Sequence, residues 1–198
     1  MMAFLSRFLA VALVSAFLEN IVLTRAIGTS TVLAAARGKG GLLSFGTIMT
    51  VITTLASAGA FGLDRLLGSE PSFYIYMPLL YVMLIGLIYI LLLLVLWKFA
   101  PGTFGSIKRY VHVSSFNCAV LSGMFLSGTQ GGGIAEYLGY GFGTGVGFML
   151  ALALVAEGSR RMEADEVPAA FRGYPLQLLY IGILSMAFFA FSGHAPAI

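Results

Sequence analysis

Six apolar stretches, each near the length needed to cross a bilayer, constrain this chain more than any other feature. They lie at about Phe4–Thr24, Leu42–Gly62, Phe73–Leu96, Val111–Ser127, Gly139–Ala156 and Leu176–Ser192. A hydrocarbon core of ~30 Å takes ~20 residues of α-helix. Runs of this kind predict an all-α integral membrane fold with six transmembrane helices. Only 10% of the 198 residues are charged and 59% are hydrophobic, with a mean hydropathy of +0.97. A soluble domain of this length needs far more polar surface. The expectation is one polytopic domain over residues 1–198. The first run mimics a signal peptide, with Arg7 ahead of it and Ala34-Ala35-Ala36 after it. Glu19 and Asn20 interrupt it, and five more runs follow, so it reads as a retained helix.

The basic residues set the orientation. A pI near 9.1 would suit a nucleic-acid partner if the cations formed a face or a tail, and they form neither. Arg25, Arg37 and Lys39 lie in the first loop, Lys98, Lys108 and Arg109 in the third, and Arg160, Arg161 and Arg172 in the fifth. Arg7 and Arg65 are left for the other side, so nine of the 11 basic residues share one side. The positive-inside rule makes that side cytoplasmic. Loops 1, 3 and 5 are then inside, and both termini face outward.

The chain also repeats itself. Phe45-Gly46-Thr47 returns as Phe142-Gly143-Thr144, each expected to open its span, and Asn20 returns as Asn117, all at an offset of 97 residues. Repeat 1 covers about 1–97 and repeat 2 about 98–198. Three spans per half is an odd number, so the halves are inverted, an arrangement that places functional sites near the bilayer midplane.

Glu19-Asn20 and Asn117-Cys118 are the polar sites deepest within these spans. Charged groups at such depth usually face protein or a water-filled cavity, and unwound helices survive there only where their backbone is buried or lines a cavity. Gly28, Gly123, Thr29, Ser30, Ser114 and Ser115 would permit breaks in helices 1 and 4. One reading is a paired site for an ion or cofactor; the other has Glu19 capping a neighbouring helix and the asparagines knitting helices together. Cys118, the single cysteine, allows no intrachain disulfide, and a buried cysteine most often packs. His112 and His194 lie too far apart for a metal site. The series Gly139, Gly141, Gly143, Gly145 and Gly147 reads as a helix–helix contact face. The segment Glu157–Gly173 reads as a charged cytoplasmic loop, either a docking element or a plain connection.

Several of these motifs resemble one family. They are Phe116–Gly123 (FNCAVLSG), Tyr140–Phe148, Asp165–Gly173 (DEVPAAFRG), Leu184–Gly193 (LSMAFFAFSG) and Glu19-Asn20-Ile21-Val22-Leu23 followed by Gly28. They look like the RnfA subunit of the Rnf complex and its homologue, the NqrE subunit of the sodium-pumping NADH:quinone oxidoreductase. The resemblance spans the whole chain. It implies the cell membrane of a bacterium or archaeon, an inverted-repeat fold, and a heterodimer with a homologous RnfE- or NqrD-like subunit of opposite orientation, alongside further Rnf subunits. It also implies a [2Fe–2S] cluster to which each of the two gives two cysteines, in a complex coupling electron transfer to Na⁺ or H⁺ translocation. Flavin and nucleotide sites belong elsewhere, since this chain has none.

The sequence departs from the family at one ligand. Cys118 matches the second cluster cysteine, but Ser30 stands where the first is expected. An alkoxide is a harder ligand than a thiolate and suits iron less well. Ser30 as an oxygen ligand, a cluster held by three cysteines and another group, and a paralogue without the cluster all remain open. On the first two, Cys118 is a cluster ligand, Asn20 and Asn117 support the broken helices, and Glu19 is the candidate for ion handling. The alternatives are a non-redox scaffold that keeps the fold, or an autonomous inverted-repeat transporter.

Overall fold

A computed structural model describes residues 2–36, 41–67, 75–99, 101–102, 104–130, 133–161, 168 and 171–192. All regular structure among them is helical. The elements are α1 (Met2–Leu13, prolonged by a π turn, Val14–Leu18), α2 (Thr29–Ala36), α3 (Leu42–Leu67), α4 (Met77–Phe99), α5 (Phe104–Ser115), α6 (Cys118–Ser127, then a 3₁₀ turn, Gly128–Gln130), α7 (Ile134–Arg161) and α8 (Tyr174–Ser192). Three of them, α3, α4 and α7, are long and apolar enough to span a membrane by themselves. The protein is an all-α integral membrane protein.

In order, a broken helix (α1 and α2) is followed by α3 and α4, and a second broken helix (α5 and α6) by α7 and α8. The breaks displace several expected boundaries. The first run, expected to reach Thr24, stops as helix at Leu18 after the π turn, and helix resumes only at Thr29. The fourth run starts earlier, at Phe104, and divides after Ser115. The fifth is longer, so Phe142-Gly143-Thr144 falls in the third turn of α7 and does not open it, whereas Phe45-Gly46-Thr47 does lie in the first turns of α3. Glu157 to Arg161 belong to the last turn of α7 and not to a loop. Residues 162–167 and 169–170 of that segment, Arg37 and Lys39 of the first loop, and His194 lie outside the described residues.

Helix α7 is the centre. Of its apolar window 61% is buried, against 11% for α4, which lies at the edge. The alternating glycines make this possible by serving two neighbours at once. Gly139, Gly143 and Gly147, each four residues apart, lie against the α1 backbone at Phe8, Ala12 and Ala16. Gly141 and Gly145 lie against Thr53, Ser57 and Thr50 of α3. In lipid, where tails are as apolar as leucine, such backbone approach replaces hydrophobic burial as the force that joins helices. The threonines of α3 are tolerated because each hydroxyl donates back to its own helix: Thr47 to Leu43 O, Thr50 to Gly46 O, Thr53 to Met49 O and Thr54 to Thr50 O.

Side-chain contacts fix which helix ends share one end of the bundle. At one end Arg7 of α1 pairs with Glu136 of α7 at 3.4 Å, and the Asp64 carboxylate of α3 accepts hydrogen bonds from Tyr81 of α4 and Tyr137 of α7. At the opposite end, Leu42 and Leu43 of α3 lie beside Ala156, Glu157 and Arg160 of α7. Helix α8 docks on the same stretch of α7: Tyr180 covers Gly158, and Gln177 donates to the Ser159 hydroxyl at 2.9 Å.

Candidate functional site

Asn20 ends the first helix because its side chain competes with the backbone for hydrogen bonds. Its Oδ1 accepts from the amides of Val22 (3.1 Å) and Leu23 (3.2 Å), an Asx-type turn that takes these amides out of the helical ladder. Its Nδ2 donates to Ala16 O and to Gly147 O, both at 2.9 Å. Gly147 is halfway along the 28 residues of α7, so the break sits at mid-helix depth. The chain then turns through Ala26 (φ 56°) and Gly28 (φ 82°) before α2 starts. Just before the break the π turn closes, with the Glu19 amide donating to Val14 O at 2.8 Å; single π turns of this kind are frequent at functional sites.

Asn117 does the same chemistry in the second half. It is the N-cap of α6, and its Oδ1 accepts from the Ala119 amide at 3.0 Å, two residues on, as Asn20 accepts from Val22. The two breaks meet. A Cβ added to Gly28 would lie 3.1 Å from Ala119 Cβ and 3.2 Å from Asn117 Oδ1, so the left-handed turn of one half rests on the capped helix start of the other. Ser30 follows Gly28 by two residues, Cys118 adjoins Ala119, and both side chains are exposed. Gly123, expected at a break, instead lies inside α6 facing Thr144.

The partners of the two asparagines differ. Asn20 is wholly buried with every bond made, while Asn117 Nδ2 and the hydroxyls of Ser114 and Ser115 are buried without a partner among the described residues. Truncation should therefore be asymmetric. Asn20→Ala leaves two buried amides unpaired at ~1–3 kcal/mol each and is expected to cost about 3–5 kcal/mol. Asn117→Ala removes one capping bond, at about 1 kcal/mol. Thermal unfolding of the purified variants in one detergent checks the order; equal losses would refute it.

Glu19 lies at the first break. Its Oε2 accepts from the Tyr140 hydroxyl at 3.5 Å, and Arg25 Nη2 stands 3.9 Å away, with the Glu19 side chain 35% exposed. Sequence reasoning missed Tyr140 because it sits inside the glycine series, where it reads as packing. It also missed Tyr89, His112 and Phe116, whose rings form a mutual cluster with centroids 5.2–5.7 Å apart beside the second break. Among the described residues, no three His, Cys, Asp or Glu side chains gather where a metal ion could sit. The donors at the face are one thiol and one hydroxyl.

Comparison with known proteins shows the family. The family described as "Rnf-Nqr subunit, membrane protein" matches residues 8–195. The chain is 32% identical over 190 residues to the A-type subunit of the ion-translocating oxidoreductase complex of Cereibacter sphaeroides, covering 96% of this chain and 98% of that one. It is 29% identical to the same component from an Azoarcus species, at the same coverage. It is 27% identical to the A-type subunit of the Na⁺-translocating ferredoxin:NAD⁺ oxidoreductase complex of Acetobacterium woodii, over 89% of this chain and 92% of that one. A membrane-embedded bundle with two touching breaks, matched end to end by these relatives, belongs to the Rnf-Nqr family of membrane subunits, among its RnfA-type members.

Proposed function

We propose that this chain is a membrane subunit of an Rnf-type complex that couples electron transfer between ferredoxin and NAD to translocation of Na⁺ or H⁺. One observation carries the reading beyond kinship. Ser30 and Cys118 are exposed and Glu19 is partly exposed on this chain, around a non-helical segment that bonds the middle of α7. Lipid cannot face irregular backbone and charge at that depth. Another membrane subunit must cover them, and a homologue of opposite orientation offers the complementary pair of breaks. The two shared helix ends and the loop charges support six crossings with both termini outside, in the cell membrane, each half an inverted three-helix repeat.

A [2Fe–2S] cluster takes four protein ligands, usually thiolates. Cys118 and Ser30 lie open beside one contact, so they fit the edge of a cluster shared across a subunit interface and do not fit a cluster held by this chain alone. Cys118 would hold it, with Ser30 as an oxygen donor. When bound, such a cluster carries single electrons. Asn20 and Asn117 hold the two backbone turns that present these side chains. Glu19, with Tyr140 and Arg25, is the candidate for handling the ion. The serine at position 30 favours a second reading, a scaffold that keeps the interface without a cluster.

Inverted vesicles bearing the whole complex should couple ferredoxin-dependent NAD reduction to Na⁺ or H⁺ uptake. Deletion of this chain should abolish both activities, and its return should restore them. Undiminished electron flow and uptake without the chain would overturn the proposal. Glu19→Gln, which keeps the size and removes the charge, is expected to lower ion uptake per electron severalfold with the complex intact. Unchanged uptake and turnover would remove Glu19 from the mechanism.

A further inference from the structure

The end of the bundle shared by the start of α3 and the end of α7 carries an open groove of about 230 Å³. Leu42, Leu43, Met149, Leu152 and Ala153 make its walls apolar. The groove runs along α7 from Met149 to Arg160, 11 residues or roughly 17 Å at ~1.5 Å per residue. Its charge is confined to the mouth, where Glu157 and Arg160 stand. Glu157 already accepts a hydrogen bond from Arg161 at 2.9 Å. Arg160 is exposed and, among the described residues, has no anionic partner. An apolar slot as deep as one leaflet, ending at such a guanidinium at the level of the headgroups, matches a molecule with a long apolar tail and an anionic head.

We propose that this groove binds an anionic phospholipid, with an acyl chain along α7 over Ala153 and the headgroup phosphate on Arg160. Guanidinium binds phosphate through paired N–H donors, and among the described residues of this helix end Arg160 and Arg161 face the single carboxylate of Glu157; Glu163, Asp165 and Glu166 follow outside them. This depends only on the chain's place in a membrane and stands apart from its electron-transfer role.

The test uses the full chain with its co-purifying subunits in lipid nanodiscs containing either phosphatidylglycerol or phosphatidylcholine, each with a diazirine on the acyl chain. Photolysis and peptide mapping should place phosphatidylglycerol adducts between Met149 and Arg160, about fivefold above those of phosphatidylcholine, the worth of one basic side chain at an anionic surface. Arg160→Ala should bring them to the phosphatidylcholine level. Ala153→Trp, which fills the groove from an exposed position, should remove both. Equal labelling by the two lipids, labelling unchanged in Arg160→Ala, or no labelling because a neighbouring subunit fills the groove would overturn the assignment. Both substituted side chains are exposed, so the fold is kept, and co-purification of the other subunits verifies that in each variant.

Discussion

Gly143→Val is expected to leave almost no assembled protein in the membrane. A Cβ at this position would overlap the Ser15 hydroxyl and the Ala12 carbonyl of α1. The carbonyl is backbone, so no rotamer change relieves the clash, and α1 must move away from α7 as a body. That movement would also separate Asn20 from Gly147, because both contacts lie along the same pair of helices. Overpacking in cores costs about 1–3 kcal/mol where side chains can adjust; here the cost should exceed ~3 kcal/mol. Gly145→Val should act alike from the other side, against Thr50 and Thr53 of α3. Gly62 and Gly86 are the controls, since an added Cβ meets nothing within 4 Å at either. Gly62→Ala and Gly86→Ala should be neutral, or stabilising by up to about 1 kcal/mol through the glycine backbone entropy they remove. Immunoblots of membrane fractions and thermal unfolding of what survives decide the matter. Normal accumulation of Gly143→Val would mean that α1 and α7 are not held as described.

Cys118→Ala is expected to remove all the iron held at this subunit while leaving the fold in place. The side chain is exposed at the first residue of α6, and its thiol makes only a long 3.7 Å approach to Asn117 Oδ1, so truncation leaves the Asn117–Ala119 cap untouched. Iron, acid-labile sulfide and electron paramagnetic resonance on the anaerobically purified chain with its partner subunit give the readout. About two irons per pair are expected in the natural protein, by the stoichiometry of a [2Fe–2S] cluster, and none in Cys118→Ala. Ser30→Cys should retain or raise the iron, since thiolate is the better ligand for it. An intact pair that holds no iron before substitution would favour the scaffold reading, and Cys118 would then be an interface residue only.

The breaks show how far residues can be read without coordinates. A carboxylate and two asparagines inside apolar runs are costly in lipid, and a glycine close after the first run permits a turn; together they point to the places where the helices part. The positions of Asn20, Asn117 and Gly28 were legible for these reasons. Gly123 was misread because a glycine in a membrane helix serves close packing as often as a turn, and only its neighbour Thr144 tells which. Glu157 to Arg161 looked like loop because charge in sequence resembles solvent exposure, while a helix that emerges from the bilayer keeps its ladder in water just as well. Tyr140 was legible only as part of a family motif, since its contact is with Glu19, 121 residues earlier.

By itself the sequence determined the solvent and the helical secondary structure. Its apolar runs are too long and too poor in charge for water, and lipid permits such runs only as helices. Tertiary structure decided which distant residues meet. The glycine series was visible as a contact face, yet its division into one edge for α1 and another for α3 emerges only when both helices lie against α7. The approach of Gly28 to Asn117, which sets Ser30 and Cys118 around one contact, likewise depends on packing between segments 89 residues apart. Hydropathy and local propensity act over one or two turns, whereas these contacts depend on how whole helices cross, and no local signal encodes that.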